Sequence, residues 1–165
     1  DDIDEMHQNN ITWEAEILLE DFFQVEYPTD EMTQRAKELI EKIYSKPKYT
    51  VGTGSKTKDG DFVVEVTVSP IEVLNLITDE DLFDALEQSG YAEAVTDEEV
   101  EAADAVYGML ALDLLEQALP QLTYGEDQII MLQLKPDDDG YYTLVETGIQ
   151  KVDEVMIDYN GYYAE

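Results

Sequence analysis

Twelve residues near the carboxyl end, KPDDDGYYTLVE (Lys135 to Glu146), come close to the spacing of a calcium loop. An EF-hand takes its oxygen ligands from loop positions 1, 3, 5, 7, 9 and 12, with glycine at position 6 for the sharp turn. With Gly140 at position 6, Asp137 falls at position 3, Asp139 at 5 and Glu146 at 12. Position 1 is then Lys135, a cation where the metal needs a carboxylate, and position 2 is Pro136. An EF-hand also needs a helix before its loop, whereas QIIMLQL alternates like a strand. The stretch therefore reads as the tip of a β-hairpin, with Asp137 and Asp139 offering at most a weak, adventitious Ca²⁺ contact. No other cofactor is expected.

Other candidate chemistry is sparse. The single histidine, His7, lies in a polar segment, so sites built on several histidines are excluded. There is no cysteine, hence no disulfide and no thiolate nucleophile. GTGSK (52–56) has phosphate-loop flavour but lacks the G-x4-G-K-[ST] spacing and a following helix, and it reads as hairpin strand. Asp113 stands inside an apolar helical run. Buried, it would have a raised pKa and a possible functional role; alternatively Asp104, Asp113 and Glu116 edge the helix at the solvent rim. Trp13 with Phe22 and Phe23 reads as a core anchor, or as the lining of a ligand groove.

The elements that must position these groups follow from periodicity and caps. Asn10 is expected to cap a helix with Ile11, Ala15, Leu18, Leu19 and Phe22 on one face, broken at Tyr27-Pro28. Thr29 caps a second, with Met32, Ala36, Leu39, Ile40 and Ile43 as its stripe. After Pro47 a strand over 48–54 pairs through Asp59-Gly60 with DFVVEVTVSP, whose Phe62, Val64, Val66 and Val68 share one face. VLNLI is a short helical piece, and TDEDLFDALEQSG reads as cap, helix and glycine stop. Thr96 and Glu99 form a capping box for a long helix that is apolar nearly all round from Val106 to Leu115. DQIIMLQLK, PDDDG and YYTLVE make a second hairpin, and a last helix covers roughly 148–159.

The fold class expected is α+β. The order is helix, hairpin, helix, hairpin, helix, forming a four-stranded antiparallel sheet with helices mainly on one face, of cystatin-like or nuclear-transport-factor-like type. Both hairpins turn at Asp-Gly and carry Lys before the turn, a weak internal repeat. Residues 1–10 are expected to be a flexible tail, 11–160 a single α+β domain, and 161–165 a C-terminal tail. At 165 residues the chain is long enough to bury a core.

Charge narrows the partners. Forty acids against nine bases give a net charge of −31. Such a surface favours solubility and repels phosphate backbones and anionic lipid. Seven of the bases lie within residues 35–58 beside only Glu38 and Glu41, so that window carries +5 and the remainder −36. A basic helix and hairpin facing an acidic remainder explain this better than a docking patch for an anionic partner. No apolar run approaches the ~20 residues of a membrane span. The chain begins at Asp1 without a start methionine, which points to an upstream segment removed by processing or design.

One family resemblance joins these features. The run DGDFVVEVTVSPIEVL, followed by ALPQLTYGEDQIIMLQL and DDDGYYTLVE, resembles secreted lipoproteins of unknown function from clostridial gut bacteria. The shared motifs are the V-x-V-x-P-[IV]-[DE]-[VL] strand exit (Val66 to Val73) and the D-G-Y-[YT] return (Asp139 to Tyr142), within a likeness over residues 11–159. The resemblance implies a precursor with a lipid-modified cysteine upstream of Asp1, and no catalytic residues. The expected protein is an extracytoplasmic, membrane-tethered, monomeric, non-enzymatic domain that binds an unidentified envelope ligand or protein. It contacts no nucleic acid and meets the membrane only through its anchor. A hydrolase using clustered carboxylates or a divalent metal, and an acidic DNA-mimic inhibitor, are the alternatives.

Overall fold

The Thr29, Thr78 and Thr96 caps open three helices where expected. In the computed structural model, which describes residues 2–159, each threonine hydroxyl accepts the backbone N–H three residues on. At Thr78 and Thr96 the reciprocal bond from the third helical residue, Asp81 or Glu99, completes a capping box. The helices are α1 (Asp2–Glu16), α2 (Asp30–Tyr44), α3 (Asp79–Gln88), α4 (Asp97–Ala118) and α5 (Glu146–Met156). The strands are β1 (Lys48–Val51), β2 (Ser55–Lys56), β3 (Phe62–Ser69), β4 (Ile71–Glu72), β5 (Thr123–Tyr124), β6 (Gln128–Pro136) and β7 (Tyr142–Leu144). The chain is α+β, as its periodicities predict. The expected C-terminal tail, 161–165, lies outside the described residues.

The elements divide into two compact units, each made of two chain segments. The first holds residues up to Lys46 and Val73–Gln121 and is helical. In it α1 packs on α2, and α2 and α3 pack on α4. The predicted α2 stripe is the buried one: Met32, Ala36, Leu39, Ile40 and Ile43 are all 0–1% exposed.

Two helices of this unit depart from what their sequences predict. Helix α1 starts at Asp2, not at an Asn10 cap. It then widens into a π-helical segment, Ile17–Phe22, in which the Phe23 N–H reaches back five residues to the Leu18 carbonyl. The wider turn buries Phe23 completely and leaves Phe22 half-buried. The chain leaves the helix at Gln24, whose φ is +57°, before it reaches Tyr27-Pro28. Helix α4 is not enclosed all round either. Its buried residues, Ala103, Asp104, Tyr107, Gly108, Ala111, Leu112, Leu115 and Ala118, form one stripe, and Val106 is 47% exposed.

The second unit holds Pro47–Glu72 and the chain from Leu122 on. Its sheet runs β1-β3-β6-β7, with β2 continuing the β1 edge of β3, and every pairing is antiparallel. The register shifts by one residue between Val51↔Val66 and Ser55↔Val63. The extra residue lies in Gly52-Thr53-Gly54, a β-bulge that splits the strand expected over 48–54. Val66 pairs with Ile130 and Val64 with Leu132. Helix α5 covers this face, with Gly148 seated against Leu132. The edge residues Tyr49 and Val51 share the face but are 55% and 61% exposed. A short ribbon, β4 with β5, joins Ile157 through a parallel bridge at Ile71.

Candidate functional site

Both Asp-Gly turns lie at one end of this sheet, because β3 starts where β6 ends (Phe62↔Leu134). They have the same backbone geometry. The Thr57 N–H donates to the Asp61 carbonyl at 2.8 Å, and the Asp137 N–H donates to the Tyr141 carbonyl at 2.7 Å. Gly60 (φ +96°) and Gly140 (φ +84°) close the two turns in the left-handed region, where glycine has no Cβ to clash. Across the tips the Tyr142 hydroxyl donates to the Gly60 carbonyl at 3.2 Å, and the rings of Phe62 and Tyr142 meet edge-on at 4.9 Å.

This geometry occupies Asp137. Its Oδ1 accepts the N–H of Asp139 at 3.0 Å and of Tyr141 at 2.8 Å, so the carboxylate braces its own turn. Strand β6 runs through Lys135 and Pro136 into the turn, and no helix precedes it. Among the described residues no three carboxylates or histidines are grouped to hold a metal ion. His7 is an exposed residue of α1. In GTGSK, the Gly52 N–H donates to the Glu65 carbonyl at 2.7 Å, so this segment is strand and bulge. Of the aromatic trio, Phe23 is the core residue and Trp13 is 46% exposed.

Asp113 is not the buried acid. Its side chain is 46% exposed and paired with Arg35. Arg35 also binds Glu116 at 2.8 Å, and Lys42 binds Glu116 at 3.2 Å. The basic stripe of α2 thus faces the acidic edge of α4, as the charge asymmetry predicts. These donors, the Arg35 hydrogen bond foremost, hold the Glu116 carboxyl below its usual range.

Two acids are buried: Glu14 (0% exposed), which accepts the Tyr44 hydroxyl at 3.1 Å, and Asp104 (2% exposed), which lies in the core and not at the solvent rim. The Asp104 Oδ2 accepts the Tyr27 N–H at 2.7 Å and its Oδ1 the Glu26 N–H at 3.3 Å. One helical turn on, the Tyr107 hydroxyl donates to the Phe23 carbonyl at 2.7 Å. Burial, then the nearby Asp104 charge, pushes the Tyr107 phenol up, so it remains a donor. Together the two side chains clasp the backbone that leaves the π-turn around Gln24. The only hint in the sequence is their spacing: Asp104 and Tyr107 fall in the stripe of Ala111, Leu112 and Leu115.

One concave site in the helical unit brings carboxylates together without closing them on a metal. It is a groove of about 270 Å³ between α3 and α4. Helix α3 contributes Asp81, Asp84, Ala85 and Gln88, and α4 contributes Leu110, Asp113, Leu114 and Gln117. Each set has the i, i+3, i+4, i+7 spacing of one helix face. Asp81 is held below the usual carboxylate range, chiefly by the Thr78 hydroxyl and then by the Thr78 N–H. That is the wrong direction for a general acid at neutral pH.

By fold, the chain is an α+β protein whose four-ribbon antiparallel sheet is built from two matching hairpins. Its sequence matches no family model and no curated protein. It is similar to a solved structure from Bacillus subtilis subsp. subtilis str. 168, ycdA, described as a "putative lipoprotein". The TM-score is 0.61 at 16% identity, over 96% of this chain and 48% of that one. The chain therefore spans about half the length of that protein, and at this identity the likeness concerns the fold alone. No described helix is long and apolar enough to cross a membrane.

Proposed function

We propose that this chain is an extracytoplasmic binding domain with no catalytic role, carried by a lipid-anchored precursor. The fold likeness to ycdA over nearly the whole chain carries the reading. The strand-exit run Val66 to Val73 and the hairpin return Asp139 to Tyr142, which resemble those of secreted lipoproteins, support the same reading. Charge supports a cationic or neutral partner, since −31 repels polyanions. The polar groups with resolved geometry support a structural assignment: Asp104, Asp137 and Glu99 bind backbone amides, and Asp113 and Glu116 bind cations.

The test is protease shaving of intact cells of the native host expressing the complete coding sequence, with fractionation of the lysate. The domain should be digested from the outside and sediment with membranes. Replacing the anchor cysteine with alanine should release it. A protein protected in intact cells and recovered from the cytosol would remove the reading.

A further inference from the structure

We propose that the π-helical end of α1 is a two-register switch. The observed π register buries Phe23. In a second, α register the helix runs on towards Tyr27-Pro28 and Phe22 takes the buried place.

Two adjacent phenylalanines permit the exchange. A π turn holds one more residue than an α turn, so the residue after it lies where its predecessor would lie in a straight helix. Ile11, Ala15, Leu18 and Leu19 are all buried, and an unbroken 3.6-residue period adds Phe22 to their stripe. The π segment Ile17–Phe22 puts Phe23 there instead, 0% exposed, with the half-buried Phe22 ring edge-on to it at 5.2 Å. The two registers fill one place with the same side chain, so the apolar area buried there is closely matched.

Hydrogen bonds match as well. Carried on as an α-helix, the chain would bond the Tyr27 N–H to the Phe23 carbonyl and the Glu26 N–H to the Phe22 carbonyl. Asp104 and Tyr107 satisfy three of those four groups from outside the helix. The carboxylate accepts the two N–H groups at 2.7 and 3.3 Å, and the phenol donates to the Phe23 carbonyl at 2.7 Å. The α register restores these bonds within the helix but strips two buried side chains, Asp104 and Tyr107, of their partners. It gains at Gln24. The π register needs a φ of +57° there, at a left-handed position that glycine usually fills. In the α register Gln24 returns to ordinary helical angles, free of that strain. Opposed terms on one six-residue segment leave two states with a small gap between them. A partner that pairs with the released carboxylate and phenol would draw out the α register.

The chain has four phenylalanines, so biosynthetic 4-fluorophenylalanine gives four ¹⁹F resonances, and Phe22→Leu and Phe23→Leu assign the two of interest. Saturation-transfer NMR on the intact chain should show Phe22 and Phe23 exchanging at one shared rate with a minor state populated to about 1%. The minor-state shifts should cross over, Phe22 towards the buried shift of Phe23 and Phe23 towards solvent. Gln24 is exposed, so changing it leaves the core intact. Gln24→Gly relieves the left-handed strain and should lower the minor population about ten-fold. Gln24→Val, β-branched at positive φ, should raise it about ten-fold. Exchange in which both rings move towards solvent is local unfolding and overturns the proposal. So does a population that ignores residue 24, or the lack of any minor state in Gln24→Val.

Discussion

At the scale of the residue, Asp104 carries the sharpest consequence. A carboxylate that is 2% exposed survives in a core because both oxygens accept backbone N–H groups and no ion pair is needed. Asp104→Ala strips the acceptors from Tyr27 and Glu26 and leaves two amides without partners in a part-buried site. The expected loss is about 2–6 kcal/mol in urea unfolding, from a penalty of ~1–3 kcal/mol for each of the two unsatisfied groups, toward the lower end because the Glu26 bond is long at 3.3 Å. Asp104→Asn keeps one carbonyl acceptor and should lose about half as much. Equal stability of the alanine variant and the parent would show that the clasp is idle. Next to it, Gln24 holds φ at +57°, where a side chain is strained. Gln24→Gly should therefore be neutral or stabilising by up to ~1 kcal/mol, whereas glycine in an ordinary helical position would cost that much. Nothing in the sequence marks Gln24, and Asp104, one of 40 acids, is marked only by its place in the stripe of Ala111, Leu112 and Leu115.

At the scale of the element, legibility tracks how much of the driving force is local. The α2 stripe, the threonine caps and the twin Asp-Gly turns are decided within a few residues, and each forms as its pattern predicts. The π-turn depends on how Phe23 and Val25 settle in the core, so a 3.6-residue period misplaces the burial onto Phe22. The two-residue strands β4 and β5 are too short to carry a period, and their pairing (Ile71 with Tyr124, Glu72 with Thr123) and the Ile157 bridge define them. The groove was hidden for a related reason. Its acids fall on two helices, and only tertiary packing puts their faces side by side. Packing also explains the glycine inside α4. A Cβ at Gly108 would lie 2.3 Å from the Met32 sulfur and 3.3 Å from a Val25 methyl. Gly108→Ala gains ~1 kcal/mol of helix propensity but overpacks a closed contact at ~1–3 kcal/mol. The variant should be less stable by about 1 kcal/mol. Because Met32 is the obstacle, Gly108→Ala should cost less in a Met32→Ala background. Strict additivity in that double-mutant cycle would show that the close approach of α2 and α4 does not explain the glycine.

At the scale of the whole molecule, a net charge of −31 sets the response to salt and acid. Three described ion pairs gain from low ionic strength, all on α2 and α4. They are partly exposed, so solvent and salt screen them and each contributes little. The far larger surplus of like charges favours expansion of the chain. Repulsion therefore wins, and added salt should stabilise. Raising NaCl from ~0.01 to ~0.15 M shortens the Debye length from ~30 to ~8 Å and should raise Tm at pH 7. Acid acts twice. Protonation of the surplus carboxylates relieves repulsion, so the salt effect should shrink as pH falls and vanish near the isoelectric point of about 4.1. Opposing this, Asp81, Glu99 and Glu116 are held below their usual values, by the Thr78 hydroxyl, the Val95 N–H and Arg35 respectively. A depressed folded pKa contributes stability that is complete above the unfolded value and is lost as pH falls through the folded one. The contribution of the two capping boxes and the α2–α4 ion pairs should thus begin to fade near pH 4.5 and be gone below the lowered values. Thermal melts from pH 7 to pH 3 at both salt concentrations separate the two effects. The low-salt curve should rise toward pH 5 and then fall, while the high-salt curve stays flat until the caps protonate. A Tm that drops on adding salt at pH 7 would mean that specific ion pairs outweigh the surplus charge.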